Sequence, residues 1–201
     1  SSHQLDRPER GFSTRSDHTL DLRMDRKKAL TALHILNEYS QERLRKIFSI
    51  YGEVPNAARL AGLIVRTRTA QPVVHSRQFQ DIIAECVPGG SENRYLAQVY
   101  QALRIEVNQE LEALQELLQQ SLTVMKSGGR LAVISYHSLE DRIVKNFIRT
   151  GNIEGQLEKD FFGKTAAPFR VISKKPITPG AEELRNNPRS RSAKLRIAEK
   201  I

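Results

Sequence analysis

Cysteine is all but missing from this chain of 201 residues: Cys86 stands alone. A single thiol excludes an intrachain disulfide and a cysteine metal cluster, and it fits a reducing compartment. Long apolar runs are missing too, and none approaches the ~20 residues that span a bilayer. A basic amphipathic helix with a broad apolar face, the usual route to a membrane surface, does not stand out. There is no Walker loop, no dinucleotide glycine fingerprint, no zinc spacing and no internal repeat. The opening residues, Ser1-Ser2-His3-Gln4-Leu5-Asp6, have no starting methionine, signal sequence or charged leader. They read like the middle of a domain, so a targeting segment is not legible from this end.

Positive charge is what the chain has in excess. Lysine and arginine number 32 against 23 acidic residues, for a formal charge of +9 and a pI near 9.9. Such an excess favours a phosphate-rich partner. A hydrophobic content of 39% and a mean hydropathy of -0.49 fit a soluble globular protein. The length suits one domain, or one with a modest insertion.

Periodicity divides the chain into three parts. Residues 1–26 read as an irregular polar loop around Pro8 and Gly11, with Arg7, Arg10, Arg15 and Arg23 among Asp and Glu. Local ion pairing or a substrate or cofactor loop would each explain it. Residues 27–100 read as short helices. Ser40 caps one carrying Leu44, Ile47, Phe48 and Tyr51, stopped by Gly52. Pro55 opens another that buries Ala57, Leu60, Ala61 and Ile64. Ser76 caps a third with Phe79, Ile82, Ile83 and Cys86 inward. Then Leu103, Val107, Leu111, Leu114, Leu118, Leu122 and Met125 step along one helical face, with a merger or break near Arg104.

The most informative stretch is Gly128 to Arg142, GGRLAVISYHSLEDR. Leu131-Ala132-Val133-Ile134 has no alternation, as in a strand buried on both faces of a parallel sheet. Ligands of such sheets bind beyond the carboxyl ends of the strands, where Ser135 to Asp141 falls. Ser138 to Asp141 has capping-box form and opens a helix that buries Ile143, Val144, Phe147 and Ile148 and stops at Gly151. His137 and Asp141 read as a base and its partner, or as structural residues. Strands follow at Phe169–Ile172 and Lys194–Ala198, the second alternating as at a sheet edge. Tyr95, Tyr100 and Arg104 share a helical spacing that suits core packing or base stacking. The run Arg189-Ser190-Arg191-Ser192 suits a solvated turn or phosphate contact.

Three strings together go beyond a generic α/β pattern. They are Ser1 to Asp6 running into Glu9-Arg10-Gly11-Phe12-Ser13 and Leu20-Asp21-Leu22-Arg23-Met24-Asp25; Tyr100 to Asn108; and Gly128 to Arg142 with the tail Asn187 to Arg196. The chain resembles the MraW/RsmH family. That resemblance implies an α/β fold: a class I, Rossmann-like methyltransferase sheet, N-terminally truncated, with an inserted all-helical subdomain. The implied limits are 1–26 for a core loop after a central strand, 27–98 for the helical substrate-recognition insertion, and 99–201 for the C-terminal half of the core. It implies methyl transfer from S-adenosylmethionine to the N4 amine of a cytidine in small-subunit (16S) ribosomal RNA. The family's glycine-rich loop and acidic ribose contact lie upstream of the Ser-Ser-x-Gln-Leu-Asp segment. Of its cofactor contacts, only Gln4 carries over, and this stretch alone is expected to be inactive. His3 and Leu22 stand where proline and methionine are common in the family.

On this reading the sulfonium already activates the methyl, so no protein nucleophile is needed. Ser1, Ser2 and His137 are the candidates for lining the amine. Phosphate contacts are assigned to Arg10, Arg15, Arg23, Arg59, Arg66, Arg68, Arg104, Arg189 and Arg191. No metal is implied. Ribosomal RNA or a ribosomal subunit is the expected partner, with no membrane. A homodimer is compatible, and the cytoplasm is the expected location. Two other readings stay open: a non-catalytic basic RNA-binding module, and a helical interaction protein, which leaves the strand at 131–135 unexplained.

Overall fold

The computed structural model describes residues 17–157 and 167–201. The chain forms two compact units, Ser1–Glu110 and Leu111–Ile201.

The first unit is helical. Thr31 opens α1 (Ala32–Glu38), its hydroxyl accepting from the His34 N–H. Ser40 does the same for α2 (Gln41–Ile50) through the Arg43 N–H. Leu44, Ile47 and Phe48 form the buried stripe of α2, as the spacing predicts. A Cβ at Gly52 would lie 2.7 Å from the Gln98 carbonyl and 2.9 Å from that of Phe48, so this close approach needs glycine. α3 (Ala57–Ala70) buries Ala57, Leu60, Ala61 and Ile64, again as expected. In α4 (Ser76–Ala84), His75 rather than Ser76 occupies the cap position. Ser76 is fully buried; its hydroxyl accepts from the His18 N–H and donates to Asp17.

The expected long helix is two helices. α5 (Glu92–Asn108) ends at Gln109, whose φ of +53° breaks the hydrogen-bond ladder, and α6 (Glu110–Val124) begins there. Leu103 and Val107 accordingly join the core of the first unit, and Leu118 joins that of the second. The first unit takes in all of α5. Residues 17–28 are tied to it: Leu20 and Leu22 are buried, and Asn108 accepts from the Met24 N–H while donating to the Leu22 and Arg104 carbonyls.

The second unit contains β1 (Arg130–Ser135), α7 (Ser138–Thr150), β2 (Phe169–Val171), α8 (Ala181–Asn186), a 3-10 turn (Pro188–Ser192) and β3 (Lys194–Lys200). The strand order is β1-β3-β2, with β3 antiparallel to both neighbours. β1 and β2 therefore run parallel to each other, and α7 links them in sequence. Leu131 pairs with Ala198, Val133 with Arg196 and Val171 with Ala198. This face packs on Leu118, Val144, Phe147 and Ile148.

Two expectations about these strands need correction. Among the described residues β1 is covered on one face: Leu131 and Val133 pack inward, while Ala132 and Ile134 are exposed, Ile134 at 56%. β3 is the middle strand, not an edge, and its alternation is inverted. Arg196 and Ala198 are the buried residues, and Leu195 and Ile197 lie on the half-exposed face. The burial of an arginine is made tolerable by a carboxylate on α7, which periodicity along β3 alone could not reveal.

Candidate functional site

The carboxyl end of β1 leads straight into the first turn of α7. His137 is the cap residue here, and the expected cap Ser138 is the first helical residue. His137 Nδ1 accepts from the Glu140 N–H at 3.4 Å. The Glu140 carboxylate reaches back to accept from the Tyr136 N–H at 2.8 Å. This is a variant of the capping box, with histidine and glutamate three residues apart and the glutamate accepting from the N–H one residue before the cap. With Nδ1 accepting, the ring proton of the neutral imidazole sits on Nε2, which lies 3.5 Å from Glu140 Oε1. The imidazole is largely covered, and the neighbouring Tyr136 ring is exposed.

Glu140, not Asp141, is thus the carboxylate beside His137. Asp141 faces the sheet and holds Arg196 in a two-point pair, Nε to Oδ1 at 2.6 Å and Nη2 to Oδ2 at 3.1 Å, with Lys194 Nζ at 3.4 Å. Burial pushes the Asp141 carboxyl up, but the Arg196 hydrogen bonds and charge outweigh this and hold it below the usual carboxylate value. Ser135 is buried, its hydroxyl 3.4 Å from the Lys194 carbonyl. The strand end therefore joins a rigid β3–α7 clamp to a turn that carries an imidazole, a carboxylate and an exposed phenol ring. Sequence reasoning missed Glu140 and Arg196. A His-x-x-Glu spacing was the available signal for the first.

The remaining expected site residues separate into three groups. Ser1, Ser2, Gln4, Arg10 and Arg15 lie outside the described residues. Arg23 is bound to Asp21, with Nε to Oδ1 at 2.6 Å, and also donates to the Arg26 and Lys28 carbonyls. Arg104 grips Glu110 at 2.9 and 3.1 Å across the α5–α6 break. Both guanidiniums are already committed internally, which leaves little of either for an external phosphate. Arg59 and Arg68 each donate to a backbone carbonyl, Glu85 and Leu36 respectively, and keep their charge unneutralised by these bonds. Arg66 is exposed on the same helix, α3. Arg189 and Arg191 sit on the 3-10 turn, whose Ser190 is buried and donates to the Asn187 carbonyl.

The aromatic and cysteine positions are structural. Tyr95 is buried and donates to Asn56 at 2.5 Å, and the Tyr100 ring packs against Phe79 at a 53° tilt, centroids 5.9 Å apart. Neither ring is placed to stack on a base. Cys86 is buried in the helical core, and burial pushes its thiol up. Among the described residues, no helix is long and apolar enough to cross a membrane.

The described residues combine helices with a small antiparallel three-stranded sheet, and polar residues gather where β1 meets α7. The chain belongs to the MraW methylase family, whose profile matches residues 1–201. This places it among methyltransferases. It is 52% identical over 200 residues to the "Ribosomal RNA small subunit methyltransferase H" of Flavobacterium psychrophilum, covering all of this chain and 68% of that protein. It is 53% identical over 200 residues to the protein of the same name from Cytophaga hutchinsonii, covering 67% of it. The Bacteroides fragilis protein of that name is 52% identical, with 66% covered. The chain thus spans about two thirds of the length of these curated relatives.

Proposed function

We propose that this chain is the larger part of an enzyme that transfers a methyl group from S-adenosylmethionine to the N4 amine of a cytidine in small-subunit ribosomal RNA, acting in the cytoplasm. The carrying observation is the match to one methylase family along the whole chain, with relatives named for methylation of that RNA. We read the three strands as one side of a class I, Rossmann-like sheet. Supporting this are the parallel β1 and β2 joined through α7.

When bound, the sulfonium donor supplies an activated methyl group. The Tyr136 ring, exposed at the strand end, is of a kind that fits a cationic group such as this. Gln4 is the further contact proposed for this chain. On the acceptor side, the cytosine amine is a weak nucleophile, so the protein must hold it in line and accept its hydrogen bonds. Ser1 and Ser2 are proposed to line the amine. The His137 lone pair is spent on the Glu140 N–H, so the geometry supports a positioning role for His137 rather than proton removal by its ring. Phosphate contact is assigned to Arg59, Arg66, Arg68, Arg189 and Arg191, with Arg10 and Arg15 on the preceding loop. The target base must be splayed out of its stack, at a cost of a few kcal/mol that such contacts would offset.

The test is incorporation of labelled methyl from S-adenosylmethionine into small-subunit RNA by the intact protein, with the product nucleoside identified by mass spectrometry. N4-methylcytidine supports the reading. Methyl at another atom refutes the N4 assignment. RNA binding without donor binding or transfer would instead favour a non-catalytic RNA-binding module.

A further inference from the structure

A second basic feature lies further along α7. Between α7, the end of β2 and Arg196 of β3 is a cavity of about 330 Å³. Ile148 and Val171 form its apolar floor, and Lys145, Arg149, Lys174 and Arg196 carry its charge. Among the described residues, no carboxylate lines it. Arg196 is neutralised from behind by Asp141. Lys145, Arg149 and Lys174 have no such partner among the ion pairs of the described residues. Ser173, also on the rim, has its hydroxyl committed to the Ile197 N–H at 2.9 Å.

Three uncompensated cations around one recess repel each other, and the fold gains nothing from gathering them. Lys145 and Arg149 are four apart on α7, where like charges destabilise a helix by about 0.2–0.5 kcal/mol. The arrangement becomes favourable when an anion enters. The apolar floor limits how deep a charged group can sit, so a chain running over the rim fits better than a small ion sealed inside. With an RNA methyltransferase, on which this step rests, the anion of that form is the substrate's phosphodiester backbone. We propose that Lys145, Arg149 and Lys174 form an RNA-backbone anchor outside the reaction centre, which sets the grip and register of the RNA and takes no part in methyl transfer.

The experiment compares the intact wild-type protein with a Lys145→Gln/Arg149→Gln/Lys174→Gln variant, using a single-stranded RNA oligonucleotide across a salt series. Removing three contacts to single-stranded RNA should lower the slope of log K against log salt by about 2, and weaken binding roughly fiftyfold at 0.15 M salt. At saturating RNA, kcat should stay at the wild-type value while KM for RNA rises. A Lys145→Arg/Lys174→Arg variant should keep the wild-type slope. Thermal unfolding of each variant separates a lost contact from a lost fold. Wild-type protein with a steep slope, matched by a triple variant with the same slope, overturns the anchor. So does saturable binding of inorganic phosphate or a free nucleotide at this recess with RNA binding unchanged. Wild-type protein that fails to bind RNA at all instead overturns the function on which the inference rests.

Discussion

Replacing Asp141 with asparagine should destabilise the second unit by about 2–3 kcal/mol. The carboxylate makes two hydrogen bonds to Arg196, at 2.6 and 3.1 Å, and lies 3.4 Å from the Lys194 ammonium. Side-chain exposure is 10% for Arg196 and 14% for Asp141. Breaking a fully buried pair by removing one partner costs about 3–5 kcal/mol, because the other charge is stranded. Here Arg196 borders the cavity on the β2 side, so water reaches part of the guanidinium and the low end of that range is reduced further. A loss of that size should lower Tm by roughly 4–12 °C in calorimetry, at about 2–4 °C per kcal/mol for a chain of this length. The pH dependence gives an independent check. The folded-state pKa is depressed, so the contribution is complete above the unfolded value near 3.9 and fades as pH falls through the lower folded value. Wild-type stability should therefore fall more steeply than that of Asp141→Asn below about pH 4. Equal acid sensitivity of the two proteins, or a stability loss under about 0.5 kcal/mol, the range of ordinary surface changes, would refute the assignment of this pair as the clamp between β3 and α7.

Four further outcomes follow from the same geometry. His137→Ala should cost about 1 kcal/mol in urea unfolding through the lost cap; a kcat at the wild-type level would remove the ring from the reaction. Asn108→Ala should cost about 2 kcal/mol, since it strands the Met24 N–H and the Leu22 carbonyl at once, and faster proteolysis of the 17–28 segment would report it. The Cys86 thiol should react with a disulfide reagent only as fast as the first unit unfolds, because burial both covers it and raises its pKa; rapid modification of native protein would contradict that placement. Ile134→Asp should destabilise the intact protein by about 2 kcal/mol or more if β1 is covered on both sides as the Rossmann-like reading requires, whereas a change within about 0.5 kcal/mol would mean that this face stays open.

The helical unit was largely legible because local rules suffice there. Ser40 caps α2 as read, and the buried stripes of α2, α3 and α4 fall on the residues that periodicity selected. Where a local rule failed, a longer-range contact had taken the residue. Ser76 looks like a cap, but its hydroxyl bonds to residues 17 and 18, so His75 takes that place. The α5–α6 break left no glycine or proline as a signal, since Gln109 adopts the left-handed conformation itself. Its cost is offset by the Arg104–Glu110 pair that spans it.

The end of β1 falls where the sequence places it, but its polar residues pair differently from the reading, for a reason that lies in how α7 begins. Its first turn must satisfy its own N–H groups before any side chain is available for chemistry. Sequence alone offers Ser138 for that task, leaving His137 and Asp141 to be read as a pair. In the structure His137 and Glu140 satisfy the turn, and Asp141 points away into the sheet to meet Arg196. The same competition explains the arginines. Arg23 and Arg104 look no different in sequence from Arg66, yet each has a carboxylate within 3 Å and Arg66 has none among the ion pairs of the described residues. Charge is therefore legible from composition as a sum. Which charges remain available for a phosphate depends on partners far along the chain, such as Asp141 for Arg196 and, among the described residues, none for Lys145, and only the folded arrangement separates them.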